Sequence, residues 1–175
     1  MSSLVPALLQ PLPFLLRRRV LQLYGRRTLA DHQIKKGSAK HLYLPSPLAG
    51  IWNEAALKAS SEVILCEGLI DAMTFWCAGW RNVIAAYGVN GFTDGHLAAL
   101  QYHGVKRVMI AFDRDEAGDR GADGVAGQLI EAGIGAWRVR FPQGLDANAY
   151  AVKSGNAEHA LGLALEAVRG PLHAA

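Results

Sequence analysis

The sequence holds only two cysteines in 175 residues, Cys66 and Cys77. A structural zinc site normally takes four Cys or His ligands in paired spacing, so none is expected. Nor is there a disulfide framework, which makes a reducing cytoplasm the expected setting. Cys66 stands inside an apolar run and reads as a small core residue. A long hydrophobic run is also missing. Leu4 to Leu16 is apolar but broken by Pro6, Pro11 and Pro13, and its positive charges follow the apolar part instead of preceding it. That order is opposite to a signal peptide, and the stretch is too short to span a bilayer, so no membrane association is expected. Acids are scarce at the front: Asp31 is the only one in the first 40 residues, against Arg17, Arg18, Arg19, Arg26, Arg27, Lys35, Lys36 and Lys40. A front end of one sign suits a polyanionic partner, nucleic acid or nucleotide.

What is present excludes disorder. Hydrophobic residues make up 51% and charged residues 19%, the balance of a packed α/β chain with room for one sizeable core. Residues 1–19 read as a lead-in segment and residues 20–60 as a small basic β-rich subdomain. In the latter, Val20 to Leu29 forms a strand that turns at Gly25, and His41 to Leu44 a second strand stopped by Pro45 and Pro47. Residues 61–175 read differently. Val63-Ile64-Leu65-Cys66 is the continuous apolar run of a strand covered on both faces. A helix over Leu69 to Ala78 follows, then strand Asn82–Ala86, helix Thr93–Tyr102, strand Arg107–Phe112, helix Glu116–Glu131 and strand Ala136–Phe141. Helices over Ala147–Lys153 and Ala157–Val168 close the chain. Strands alternating with helices predict a mostly parallel sheet flanked by helices. Trp76 and Trp80, four apart, are expected on one buried face of the first of these helices.

Open parallel sheets bind ligands beyond the carboxyl ends of their strands, and acids fall at those ends. Glu67 follows the strand that ends at Cys66, with Gly68 giving the backbone a sharp turn and Asp71 shortly after. Asp113-Arg114-Asp115 follows the strand that ends at Phe112, and residues two apart in an extended segment present their side chains on one side. Asp146 follows the last strand and the turn Pro142-Gln143-Gly144. Such carboxylates repel one another unless a cation joins them, and hard oxygen ligands suit Mg²⁺ or Mn²⁺. Arg114 is the one compensating base expected nearby. Each acid alone also has an ordinary reading: Glu67 and Asp115 as helix caps, Asp71 on an exposed helix face.

Glu67-Gly68, the later Tyr87-Gly88 and Asp113-Arg114-Asp115 resemble the Toprim fold of topoisomerases, primases and related nucleases. The resemblance to the bacterial DNA primase type extends over residues 20 to 155. Glu67-Gly68-Leu69-Ile70-Asp71 is similar to that family's Glu-Gly-Tyr-Met-Asp, and Asp113 to Gly118 to its Asp-Gly-Asp-x-Ala-Gly. Upstream, Tyr24-Gly25-Arg26 resembles its Gly-Gly-Arg, and Tyr43-Leu44-Pro45-Ser46-Pro47 its Tyr-Leu-Asn-Ser-Pro. The chain departs from the pattern at Asn148, where the late Glu-Asp-Pro-Asp has an acid, and at Pro45, where it has Asn.

The resemblance implies a Toprim catalytic core of the short form carried by mobile elements and phages, a nucleotidyltransferase and DNA-directed RNA polymerase that makes RNA primers on single-stranded DNA. Asp113 and Asp115 would hold metal, Asp71 and Asp146 would supply outer ligands, and Glu67 would bind metal or move a proton. Arg26, Arg27, Lys35, Lys36 and Lys40 would hold the template or the nucleoside triphosphate. The family's zinc module and helicase-binding domain have no counterpart in these residues, which implies such proteins acting in trans. A Toprim-class nuclease, or a catalytically weak nucleic-acid- or nucleotide-binding module of a replication or mobile-element assembly, are the alternatives.

Overall fold

A computed structural model describes residues 12–16, 19–27, 31–33, 41–45 and 48–169. It divides into two compact units, residues 1–50 and residues 51–175.

In the first unit, strands β1 (Leu12–Leu16), β2 (Arg19–Arg26) and β3 (His41–Tyr43) form an antiparallel sheet in the order β1-β2-β3. The expected lead-in thus contains a strand. Pro13 pairs with Leu23 in it, which is tolerated because β1 is an edge of the sheet. Gly25 does not turn the chain. It stays inside β2 opposite Leu42, and the strand ends at Arg26. Tyr24 is buried here, its hydroxyl 2.7 Å from His41 Nδ1, and Gln22 Oε1 accepts from the backbone N–H groups of Leu23 and Leu44. Lys35, Lys36, Lys40, Ser46 and Pro47 lie outside the described residues.

The second unit begins at 51, earlier than the expected boundary at 61. The short helix α1 (Ala55–Ala59) explains the shift: Ile51, Ala56 and Leu57 are buried, and Ile51 and Leu57 belong to the same apolar cluster as Val63 and Leu65. Then come β4 (Glu62–Cys66), α2 (Leu69–Cys77), β5 (Val83–Ala85), α3 (Asp94–Tyr102), β6 (Arg107–Ala111), α4 (Glu116–Glu131), β7 (Gly135–Arg138), α5 (Ala147–Ser154) and α6 (Ala157–Arg169). The four strands run parallel in the order β5-β4-β6-β7. The β7 strand is shorter than expected, although Val139 still donates to the Ile110 carbonyl beyond its end.

Both faces of the sheet are covered, which is why its central strands read as unbroken apolar runs. Val63, Leu65, Ile84, Val108 and Ile110 pack with Leu100 of α3 and Ala122, Val125 and Leu129 of α4. Ile64, Cys66, Met109 and Ala111 alternate to the other face and are equally buried. Of the tryptophans, Trp80 lies past the end of α2, so the four-residue spacing places nothing. Trp76 stays 40% exposed, with the Arg81 guanidinium 3.5 Å from its ring centroid.

Candidate metal centre

The site is built at the carboxyl ends of β4, β6 and β7, which are neighbours in the sheet. Cys66 pairs with Ala111, so Glu67 leaves β4 beside the point where β6 runs on into Phe112 and Asp113. The Glu67 carbonyl accepts from the Gly88 N–H at 3.0 Å, which ties the turn after β4 to the turn after β5. Gly68 opens α2 without a side-chain cap, so Glu67 is not a helix cap. Instead its side chain is half-buried, and Oε2 is buried with no hydrogen-bond partner.

Asp71 is not on an exposed face: it is 9% exposed, and Oδ1 accepts the Asn148 backbone N–H at 3.1 Å. Asn148 also donates through Nδ2 to Thr74 Oγ1 at 2.9 Å, so α5 is fastened to α2 at Asp71 and again one turn later at Thr74. The residue that departs from the acidic motif is therefore a second anchor for an acid that remains.

Asp113 and Asp115 flank Arg114 in the turn from β6 into α4. Asp115 is the cap expected on the ordinary reading: it is exposed, and Oδ1 accepts from Gly118 N–H at 2.8 Å. Asp146 caps α5 in the same way, accepting from Ala149 N–H at 2.5 Å. Each cap uses one carboxylate oxygen of two, so capping and ligation do not compete for the same atom. The loop bearing Asp146 is held to the Asp113 turn by two backbone bonds, Arg114 N–H to Leu145 O at 3.1 Å and Gly144 N–H to Arg114 O at 2.8 Å.

The fields of these groups overlap. Burial and the charge of Asp113 push the Glu67 carboxyl up to about 7. Burial and the charge of Asp146 push Asp71 up to about 7, and the same two causes, joined by Asp115, push Asp113 up to about 6. The Cys66 thiol beneath them is pushed well up, chiefly by burial, and stays an inert core group.

Two contributors were not legible as site residues. Arg138, on the edge strand β7, donates from Nη1 to the carbonyls of Ile110 (3.2 Å) and Phe112 (2.8 Å) and from Nη2 to that of Asp113 (2.8 Å). Arg114 is therefore not the one base at hand. Asp119 of α4 takes Arg138 Nη2 at 2.9 Å and Arg114 Nη1 at 2.8 and 2.9 Å, and those arginines hold its carboxyl below the usual range. An arginine within an otherwise apolar strand was the available signal for the first; an acid in the first turn of a helix gives none.

The residues fit a hard divalent cation. The donors are carboxylate oxygens, their mutual repulsion is relieved by a positive ion, and the orphaned Glu67 Oε2 is a buried acceptor that lacks a partner. Among the described residues no three Asp, Glu, His or Cys side chains close into a cage. Of the expected basic residues, Arg26 and Arg27 are described and half-buried, both in the first unit.

Residues 64–151 match the Toprim-like family model. The DNA primase of Aquifex aeolicus is 28% identical over 153 residues, spanning 81% of this chain and 29% of that protein. The DNA primase of Chlamydia pneumoniae is 33% identical over 95 residues, 54% of this chain and 16% of that protein. The chain thus spans less than a third of either curated relative. Among solved structures, the zinc-binding and RNA polymerase domains of the Aquifex aeolicus primase superpose with a TM-score of 0.71 at 26% identity, over 89% of this chain and 39% of that one.

Proposed function

The chain belongs to the Toprim-like family and is of its DNA primase type, and from that premise we propose that it is a metal-dependent nucleotidyltransferase core that joins ribonucleotides on single-stranded DNA. The observation that carries this reading is the gathering of Glu67 and Asp113 beyond the ends of neighbouring strands with Asp71 of α2, their carboxyls raised by burial and by nearby acids, and a buried Glu67 oxygen left without a donor.

Asp113 and Asp115 would hold Mg²⁺ or Mn²⁺, with Asp71 and Asp146 in outer positions. The ion supplies charge neutralisation for a nucleoside triphosphate and orients its phosphates. In the reaction a ribose 3′-hydroxyl attacks the α-phosphorus, a phosphodiester bond forms and pyrophosphate leaves. Glu67 ligates, or accepts the hydroxyl proton at Oε2. Asp71 is fixed in place by the Asn148 N–H. Arg26, Arg27, Lys35, Lys36 and Lys40 hold template or triphosphate through phosphate contacts, which position without reading sequence. A zinc module or a helicase is the accompanying partner, in a cytoplasmic setting that suits the two free cysteines.

The test is incorporation of labelled ribonucleotides on single-stranded DNA with Mn²⁺, with and without a primase zinc-module protein added. Template-dependent products, raised by the added module and absent for Glu67→Gln, are expected. Metal-dependent cleavage of the DNA with no triphosphate binding would decide for a nuclease.

A further inference from the structure

Arg114, Asp119 and Arg138 stand among the acids, yet none has a part in the reaction described above. We propose that Asp119 is a positioning residue of the acidic centre, tying Arg114 and Arg138 so that the turn bearing Asp113 and the loop bearing Asp146 keep a spacing that binds a divalent cation. The inference rests on the reading of that cluster as a metal site.

One carboxylate joins four pieces of chain. Through Arg138 it reaches β7 and the carbonyls of Ile110, Phe112 and Asp113, which end β6. Through Arg114 it holds the Asp113 turn, whose backbone is bonded in turn to Gly144 and Leu145 before α5. Asp119 itself sits in the first turn of α4. Among the described residues it is the carboxylate bonded to these two guanidinium groups, and the Nε atoms of both arginines are buried without an acceptor. Arg114 Nη1 meets both Asp119 oxygens and Arg138 Nη2 meets Oδ1, charge-assisted bonds stronger than neutral ones. Asp119 acts through charge too. With the carboxylate gone, two guanidinium charges remain beside the ligands and oppose an incoming cation. Partners of this kind behind metal ligands are worth about 10- to 100-fold in metal affinity.

The experiment is a calorimetric titration of Mn²⁺ into the full chain, run well below the melting temperature, for wild type, Asp119→Asn, Asp119→Ala and Asp119→Ala with Arg114→Gln. Asparagine keeps an acceptor at Oδ1 and guards against a variant that does not fold. Affinity should fall about tenfold in Asp119→Asn and further in Asp119→Ala. It should recover in part when Arg114→Gln removes the unpaired charge. A purely structural role lowers the melting temperature and leaves the affinity of the folded protein unchanged; that result overturns the proposal. If wild type itself takes up no Mn²⁺, the metal site falls and the role of Asp119 with it. If wild type binds and both Asp119 variants bind as tightly, only the role of Asp119 falls.

Discussion

Gly118 lies so close to Asp113 that a Cβ at position 118 would stand 2.4 Å from the Asp113 carbonyl oxygen. The first turn of α4 and the turn that carries Asp113 are packed backbone on backbone, and glycine alone leaves that space. The Asp113 carbonyl is also an acceptor for Arg138, so it cannot retreat without breaking the bond. Gly118→Ala should therefore displace the Asp113 turn, lower stability by about 1–3 kcal/mol and weaken Mn²⁺ binding. Ala would be the better helix former on propensity alone, so a stabilised variant with unchanged metal binding would contradict the packing argument. Chemical denaturation and calorimetry on the same sample read both effects.

Metal-free stability should depend on the protonation of the cluster. Folding raises the carboxyls of Glu67 and Asp71 to about 7 and that of Asp113 to about 6. Between their ordinary range near 4 and pH 7, the folded protein then holds more protons than the unfolded chain. Their stabilising contribution is present at low pH and is lost as pH rises through that window. Buried His96 has its pKa lowered, chiefly by burial, and slopes the opposite way below its ordinary 6.5, so a variant is needed to isolate the acids. Asp71→Asn keeps an acceptor for Asn148 and removes the charge. Its stability relative to wild type in EDTA should rise from pH 4 to pH 7 and then level off. A difference that is flat across the window would contradict the raised carboxyl.

Asn148→Asp restores an acid to the position where the primase pattern has one. The new carboxylate would stand in the first turn of α5, after its cap Asp146, on a residue whose backbone N–H bonds Asp71 and whose side chain meets Thr74. Like charges so placed should lower metal-free thermal stability and tighten Mn²⁺ binding. Thermal melts with and without Mn²⁺ check this. Tighter binding without the loss of metal-free stability would mean that the new acid does not share the cluster's field.

Nucleic-acid binding is expected to be electrostatic. Removing the charges of Arg26, Arg27, Lys35 and Lys36 together should weaken single-stranded DNA binding and flatten its dependence on salt, since fewer counterions are released. An unchanged affinity and salt slope would leave the basic front as solvated surface.

Much of the second unit was legible because its signals are local. Parallel strands covered on both faces read as apolar runs, and Asp115 and Asp146 mark helix starts by capping. The β1 strand was not, because Pro13 reads as a breaker unless the strand is known to be an edge. Helix α1 is five residues long, too short to show a period. Glu67, Asp113 and Asp146 were legible as acids following strands, and Asp71 only through the family resemblance, since its place in α2 reads as an exposed helix face. Arg138 and Asp119 were not, because they act across β7, β6 and α4, and a partner 19 residues away leaves no mark in the local pattern. Likewise Asn148 looked like a lost acid, and only the fold shows it holding Asp71 in place.

The central claim is that the acids at the ends of β4 and β6 form one divalent-cation site, and Mn²⁺ titration by calorimetry into wild type and Asp113→Ala/Asp115→Ala tests it most directly. Wild type should bind and the double variant should lose binding, while in its metal-free melting temperature the loss of the Asp115 cap on α4 offsets the relief of like-charge repulsion. Mn²⁺ binding to the double variant with wild-type affinity would contradict the account.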